Sequence, residues 1–184
     1  MEKRGDVWIS AILYFGIGIV VITILLAAGL PVINKLRDKN IIIQSKQVMH
    51  TLDENIREVI REGPGSQRVV SVNIKKGSFV IDSGGENNIV WVYENSKVPI
   101  SEPGIDVPEG KLNIRTEKAP VEGTYNVEIS IDYSQLADIV KEGSTTITGL
   151  SDLVIRNNGQ SVDNPLTADI DESLMLQVSI NEAN

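Results

Sequence analysis

The fold of this chain is decided by residues 7–34, VWISAILYFGIGIVVITILLAAGLPVIN, a run of 28 residues that contains no charge. As a helix, this run is about 42 Å long, whereas the hydrocarbon core of a bilayer is about 30 Å thick. Twelve Ile, Leu, Val or Phe residues between positions 11 and 30 favour insertion into lipid by about 4 to 7 kcal/mol. The run therefore predicts a helix that spans a membrane once.

Two other interpretations of this run are less favourable. Ala27-Ala28-Gly29 is a small-residue site of the kind that signal peptidase cleaves in secretory signals. The apolar run, however, is longer than the usual 7–15 apolar residues of such a signal. A buried helix of a water-soluble protein needs a surrounding shell that 184 residues do not supply. The charges that flank the run, Lys3 and Arg4 before it and Lys35, Arg37 and Lys39 after it, mildly favour a cytoplasmic C-terminus by the positive-inside rule.

The remainder of the chain is acidic. Residues 41–184 hold 12 Lys/Arg and 22 Asp/Glu, a net charge of −10, and the first 40 residues hold 5 and 3, a net charge of +2, which together give −8. Nucleic-acid binding requires a basic surface that neutralises phosphates. An acidic body excludes nucleic acid as a partner and suits a soluble surface.

Residues 35–63 predict an amphipathic continuation of the helix. Apolar residues follow steps of three and four, with Ser45 in the same stripe: Ile42, Met49, Leu52, Ile56 and Val59. The acidic residues are expected on the other faces, with Glu54–Arg57 and Glu58–Arg61 as ion pairs three residues apart: Asp53, Glu54, Glu58 and Glu62. Gly63-Pro64-Gly65 ends the helix. No linker sequence separates the apolar half from the amphipathic half, so the two halves are expected to form one continuous helix.

Residues 64–184 change to the period-two pattern of strands. Strands are expected at residues 70–74, 79–81, 89–93, 112–114 and 125–131, near 147, at 153–155 and at 174–180. Lys75-Lys76-Gly77 is expected to be a tight turn, residues 95–110 a loop, and Ser134 to Gly143 a short helix or turn. The fold class is α+β: a long N-terminal helix followed by an antiparallel sheet or sandwich.

The sequence contains few residues of the types that catalytic sites use. There is no cysteine, and His50 is the single histidine, so neither a thiolate nucleophile nor a multi-histidine metal site can be built in one chain. The acidic segments Asp169–Glu172 and Asp82–Asn88 lack the spacing of a calcium loop. We expect no enzyme activity, no catalytic residues, no metal and no cofactor.

The junction Lys3-Arg4-Gly5, Asp6-Val7 resembles the class III signal of archaeal type IV pilin-like proteins, in which a short basic leader ends at Gly or Ala directly before the apolar helix. The resemblance implies that prepilin peptidase cuts between Gly5 and Asp6, and that residues 6–34 are kept as membrane anchor and later as filament core. Bacterial pilins carry Glu at the fifth mature position, where this chain has Ser10, so pairing of that Glu with a neighbour's N-terminus is not available here.

The resemblance further implies a function and its partners. The leader is residues 1–5, Pro31 kinks the helix, and the β-rich domain of residues 64–184 lies outside the cytoplasmic membrane. The expected partners are membrane lipid, copies of the same chain, prepilin peptidase and the pilus assembly machinery. Packing in lipid or in the filament is expected at Trp8, Ile12, Phe15, Ile19, Ile22 and Leu26. Two alternatives stay open: a permanent single-span anchor whose β domain binds an extracellular or cell-envelope partner, and a secreted β protein released after Gly29.

Overall fold

The computed structural model describes residues 3–81, 86–141, 145–160 and 176–183. A single 60-residue helix, α1 (Lys3–Glu62), precedes eight strands. The strands are β1 (Gln67–Ile81), β2 (Asn88–Ser96), β3 (Asp106–Glu109), β4 (Leu112–Lys118), β5 (Tyr125–Asp132), β6 (Asp138–Val140), β7 (Thr146–Gln160) and β8 (Leu176–Glu182). The acidic segment 169–172, the loop residues 82–85, Gly143 and Leu174 lie outside the described residues.

The described strands form one sheet in the order β3-β4-β5-β2-β1-β7-β8-β6. Every pairing is antiparallel except β6 with β8, which is parallel. The α+β class is confirmed, and the sandwich alternative is wrong for the described residues, because the C-terminal half of α1 covers the apolar face that a second sheet would cover. Along β5, for example, Val127, Ile129 and Ile131 are buried in the core shared with α1.

The amphipathic half of α1 is confirmed where the period predicted it. The helix ends at Glu62, and Gly63 follows with φ 92°, a left-handed conformation typical of the residue after a helix. All five predicted stripe residues and Ser45 are buried. The placement of Asp53 on a solvent face is wrong, because this carboxylate is buried.

The predicted surface ion pairs are replaced by others. Arg57 bonds to Asp53, four residues earlier, at 2.8 Å. Arg68 on β1 bonds to Glu58 at 2.8 Å and to Glu62 at 2.6 Å. The last turns of α1 are therefore tied to the start of the sheet by ion pairs, which a helix-only spacing rule does not anticipate.

The predicted turn at Lys75-Lys76-Gly77 is wrong, because β1 runs through it as one 15-residue strand. The register with β7 shifts between Ile74 and Phe79, so these residues form a bulge. Gly77 has φ 77°, and a Cβ atom there would lie 2.3 Å from the carbonyl oxygen of Val92. Glycine and paired lysines favour a turn in sequence, but here they allow the backbone to bend while the ladder continues on both sides.

Three other local predictions need correction. The expected loop at residues 95–110 contains β3, which pairs with β4 at the sheet edge. The segment from Ser134 forms a turn and then β6, which pairs with β8 at the opposite edge, rather than a helix. The two strands expected near residues 147 and 153–155 are one strand, β7. Strand β6 depends on a partner 39 residues away, which local sequence patterns do not reveal. Strand β3 pairs with the neighbouring β4, but it is fully exposed and contains Pro108, so it lacks an alternating apolar pattern.

Replacing Gly77 with Ala should destabilise the fold more than the same change at Gly149. Both glycines have φ 77°, so both variants place a side chain in the left-handed region, which costs roughly 1–2 kcal/mol. Gly149 has open space where a Cβ atom would lie, whereas at Gly77 the new methyl group collides with the β2 backbone and Trp91. Thermal unfolding of the full chain in detergent should show a larger loss for Gly77→Ala; equal losses would contradict the close approach.

Candidate membrane-spanning helix and its anchorage

Burial divides α1 at residue 38. From Trp8 to Arg37 no side chain is buried, and Asp38 is the first buried residue of the helix. Trp8 is 74% exposed and Ile19 is 51% exposed. Of the described elements, α1 is the one that is long and apolar enough to cross a membrane. Its N-terminal half therefore projects from the domain as a rod whose large apolar side chains are exposed.

The predicted packing residues lie on this rod, in steps of four and three residues that place them on one side of the helix: Trp8, Ile12, Phe15, Ile19, Ile22 and Leu26. Their neighbours Leu13, Tyr14 and Leu25 are as exposed as they are. The rod is thus apolar around its whole circumference, so the structure does not single out the predicted side. Gly5 and Asp6 lie in the first turns of α1, within the helical segment.

Pro31 lies inside α1, and the helix continues on both sides of it. Proline has no N–H to donate, so the carbonyl of Ala27, four residues earlier, has no helical partner. Pro31 does not end the helix, in agreement with the prediction of continuity, and the kink stays a prediction.

The buried half of α1 is held chiefly by apolar contact. Six apolar side chains on one stripe are buried beneath the sheet, and at about 1.5–3 kcal/mol each they contribute roughly 9–18 kcal/mol before entropy is counted. These side chains are Ile41, Ile42, Met49, Leu52, Ile56 and Val59. The domain is therefore not a separate body on a tether, because the helix supplies one side of its core.

Two buried aspartates on the same stripe add directional contacts. At the point where α1 leaves the domain, the Tyr93 hydroxyl donates to Asp38 Oδ1 at 2.9 Å, and the backbone N–H of Lys97 donates to Asp38 Oδ2 at 2.8 Å. Lys76 Nζ lies 3.8 Å from Asp38 Oδ1 and 5.6 Å from the centre of the Tyr93 ring. The buried carboxylate is thus satisfied by three groups from β1, β2 and the segment after β2.

The second aspartate lies 15 residues further along α1, about four turns, and so on the same face. The Tyr133 hydroxyl donates to Asp53 Oδ1 at 3.1 Å, and Arg57 Nε donates to the same oxygen at 2.8 Å. Lys111 Nζ lies 3.5 Å from Asp53 Oδ2. Sequence reasoning missed both aspartates, although Asp53 lies four residues after Met49 and three before Ile56, on the apolar stripe.

The end of α1 has its own polar contact. Asn157 of β7 is buried, and its Nδ2 donates to the carbonyl oxygen of Val59 at 3.2 Å. Ser66 Oγ donates to the same carbonyl at 2.6 Å. Carbonyls in the last turn of a helix lack helical donors, so these two side chains satisfy one of them.

Burial and the neighbouring carboxylates raise the pKa of both tyrosines. For Tyr93 the causes are desolvation and then its hydrogen bond to Asp38, and for Tyr133 they are desolvation and then the charge of Asp53. An unfolded tyrosine loses its proton near pH 10. The stability that these residues contribute is therefore fully present below about pH 10 and is lost as the pH rises above it.

Among the described residues, no group of three or more His, Cys, Asp or Glu side chains could hold a metal ion. No protein-family model, no curated protein and no solved structure matches this chain. Its function is therefore inferred from the chain's own chemistry.

Tyr133→Phe should lower the free energy of unfolding by about 1–2 kcal/mol, because a buried hydrogen bond to a charged group is lost. Tyr125→Phe, a half-buried control on β5, should change it by no more than about 0.5 kcal/mol. In absorbance titrations of the folded protein, the native chain and Tyr133→Phe should differ in phenolate signal only above the pH at which an unfolded tyrosine ionises, because burial raises the pKa of Tyr133. A difference in phenolate signal at or below that pH would contradict the raised pKa of Tyr133.

Proposed function

We propose that this chain is a structural subunit of an archaeal surface filament related to type IV pili. It is made as a membrane-inserted precursor with its β domain outside the cytoplasm. Prepilin peptidase removes residues 1–5, and the mature subunits pack their apolar helices together as the core of the filament. The chain acts through assembly rather than catalysis.

One observation carries this proposal: α1 is a single helix that is bare from Trp8 to Arg37 and built into the domain core from Asp38 to Val59. A permanent anchor needs only a flexible tether between span and domain. A filament subunit instead needs a rigid connection, so that packing of the cores sets the positions of the domains. The absence of a break at residues 34–38 therefore favours a filament spine.

The physical chemistry of the rod supports the same conclusion. A helix that exposes this many large apolar side chains is unstable in water, and lipid or other apolar helices must cover it. The rest of the chain carries a net charge of −10 over residues 41–184, which favours solubility. The molecule is thus divided into one part that seeks an apolar environment and one that remains in water.

Gly5→Val should block processing, because the resemblance places the cleaved bond directly after this small residue. The native protein should have Asp6 at its N-terminus, and the variant should keep residues 1–5, as measured by intact mass. Gly29→Val is the matched control, since it makes the same exchange at the site that a secretory peptidase would use.

The other two functions predict different masses. A permanent anchor keeps its original N-terminus, apart from removal of Met1. A secreted protein begins at Leu30, and Gly29→Val alters its release. A Gly5→Val protein with the same mature mass as the native protein would overturn the proposed processing.

Ile19→Asp should prevent filament assembly and reduce the fraction of protein in membranes. An aspartate at the centre of a span costs about 2.5–3.5 kcal/mol, a large part of the 4–7 kcal/mol that favours insertion. Leu150→Asp is the control, because Leu150 is 76% exposed on β7 and the same exchange there leaves the rod apolar. Electron microscopy and membrane fractionation should separate the two variants. Filaments of normal number and length from Ile19→Asp would exclude a core built from this helix.

A further inference from the structure

Two grooves flank α1 where it leaves the domain. The first is lined by Ile33, Leu36 and Ile41 of the helix and by the basic residues Arg37, Lys75 and Lys76. The second is lined by Ala27, Leu30 and Pro31 of the helix, by Lys35 and Lys97, and by Gly123 of the sheet domain. Each groove therefore combines an apolar wall with positive charge, although the body as a whole is acidic.

The five basic residues of these grooves form a basic collar around the base of the domain: Lys35, Arg37, Lys75, Lys76 and Lys97. All five side chains are exposed. Two come from α1, and the other three come from β1 and the segment after β2. The collar is therefore a product of the fold, and in the sequence its members are up to 62 residues apart.

The depth of the collar is fixed by Asp38. Lys76 and the backbone of Lys97 both contact this aspartate, which lies four residues, or about 6 Å, beyond the last residue of the uncharged run, Asn34. The Debye length at physiological ionic strength is about 8 Å. Charges at this depth lie at the level of lipid headgroups when residues 7–34 span the bilayer.

We propose that the basic collar binds anionic phospholipid of the leaflet from which the domain emerges. The headgroup phosphate contacts Arg37 and Lys75 in the first groove and Lys35 and Lys97 in the second, while the hydrocarbon chains of the lipid lie along the apolar walls of α1. This proposal rests on the membrane insertion in the proposed function and adds a lipid preference to it. Attraction between the collar and the anionic lipid surface, together with repulsion of the acidic faces of the domain, fixes the orientation of the domain on the membrane.

Anionic lipid is favoured as the occupant of the grooves because its charge complements the basic residues and because the grooves continue directly from the proposed membrane span. An acidic segment of a second copy also carries negative charge, but it offers no hydrocarbon chain for walls such as Leu30 and Leu36. The residues lining the two grooves include no acidic side chain, whereas a third groove, which shares Lys76 with the first, contains Glu94. An anionic lipid matches both the polar and the apolar parts of each groove.

The test uses the full chain in nanodiscs of phosphatidylcholine alone or of phosphatidylcholine mixed equally with phosphatidylglycerol. Native mass spectrometry then measures which lipids stay bound when the protein is released. The native chain should retain phosphatidylglycerol in preference to phosphatidylcholine. Arg37→Gln with Lys75→Gln should lower that preference about tenfold, because each basic residue near an anionic leaflet contributes up to roughly a fivefold factor in affinity and salt reduces it.

Arg61→Gln with Arg156→Gln is the control pair, because it removes the same charge from exposed positions at the far end of the buried half of α1. This pair should keep the native preference, and both pairs should unfold at the native temperature. Equal retention of the two lipids by the native chain, or an equal loss in both pairs, would overturn the collar and leave insertion intact. Failure of the native chain to enter phosphatidylcholine nanodiscs would instead count against the proposed function. Binding of an added second copy in place of lipid, lost only in the collar pair, would assign the grooves to assembly and reject the lipid.

Discussion

Every part of this molecule depends on the unbroken backbone of α1 between residues 34 and 38. In lipid a helix must satisfy its own backbone hydrogen bonds, and in the domain the same helix supplies one side of the core. Along α1 the side chains change from exposed to buried at residue 38 without a change of secondary structure. The direction in which the apolar half leaves is therefore set by the packing of the other half beneath the sheet. A force on the rod reaches the domain through a rigid helix rather than through a flexible linker.

Apolar burial and polar pairing have separate roles in this anchorage. The stripe contributes the larger free energy, roughly 9–18 kcal/mol against about 1–3 kcal/mol for each buried bond to a carboxylate. Displacing the helix by one turn would place polar residues such as Ser45 or Lys46 at core positions that apolar side chains fill, so the stripe itself resists such a shift. The same shift would separate Asp38 from Tyr93 and Asp53 from Tyr133, leaving buried carboxylates without these partners. The two pairs therefore reinforce the position that the stripe already favours.

Structural features that depend on local periodicity could be predicted from the sequence, whereas contacts between residues far apart in the chain could not. The apolar run and the stripe from Ile42 to Val59 repeat every few residues, and the helix lies where they predicted it. Asp53 was misplaced because its charge was weighed above its position on that stripe. The turn predicted at Gly77 was wrong, because its neighbours alone could not show whether the chain reverses there or continues as a strand. The edge strand β6 and the Asp–Tyr pairs join residues between 39 and 80 positions apart, beyond any window of local pattern. Strand β3 pairs with the adjacent β4, but it is exposed along its whole length and contains Pro108, so it lacks an alternating apolar pattern.

The fold changes what the basic residues after the candidate span imply about its orientation in a membrane. Counted along the chain, Lys35, Arg37 and Lys39 favour a cytoplasmic C-terminus. Lys35 and Arg37 lie in grooves completed by Lys75, Lys76 and Lys97, which belong to the domain and move with it. A basic residue that forms part of a folded surface is expected whether the domain lies inside or outside the membrane, so it does not report the orientation. The positive-inside rule therefore loses force for this span, and the objection that it raises to an external β domain weakens with it.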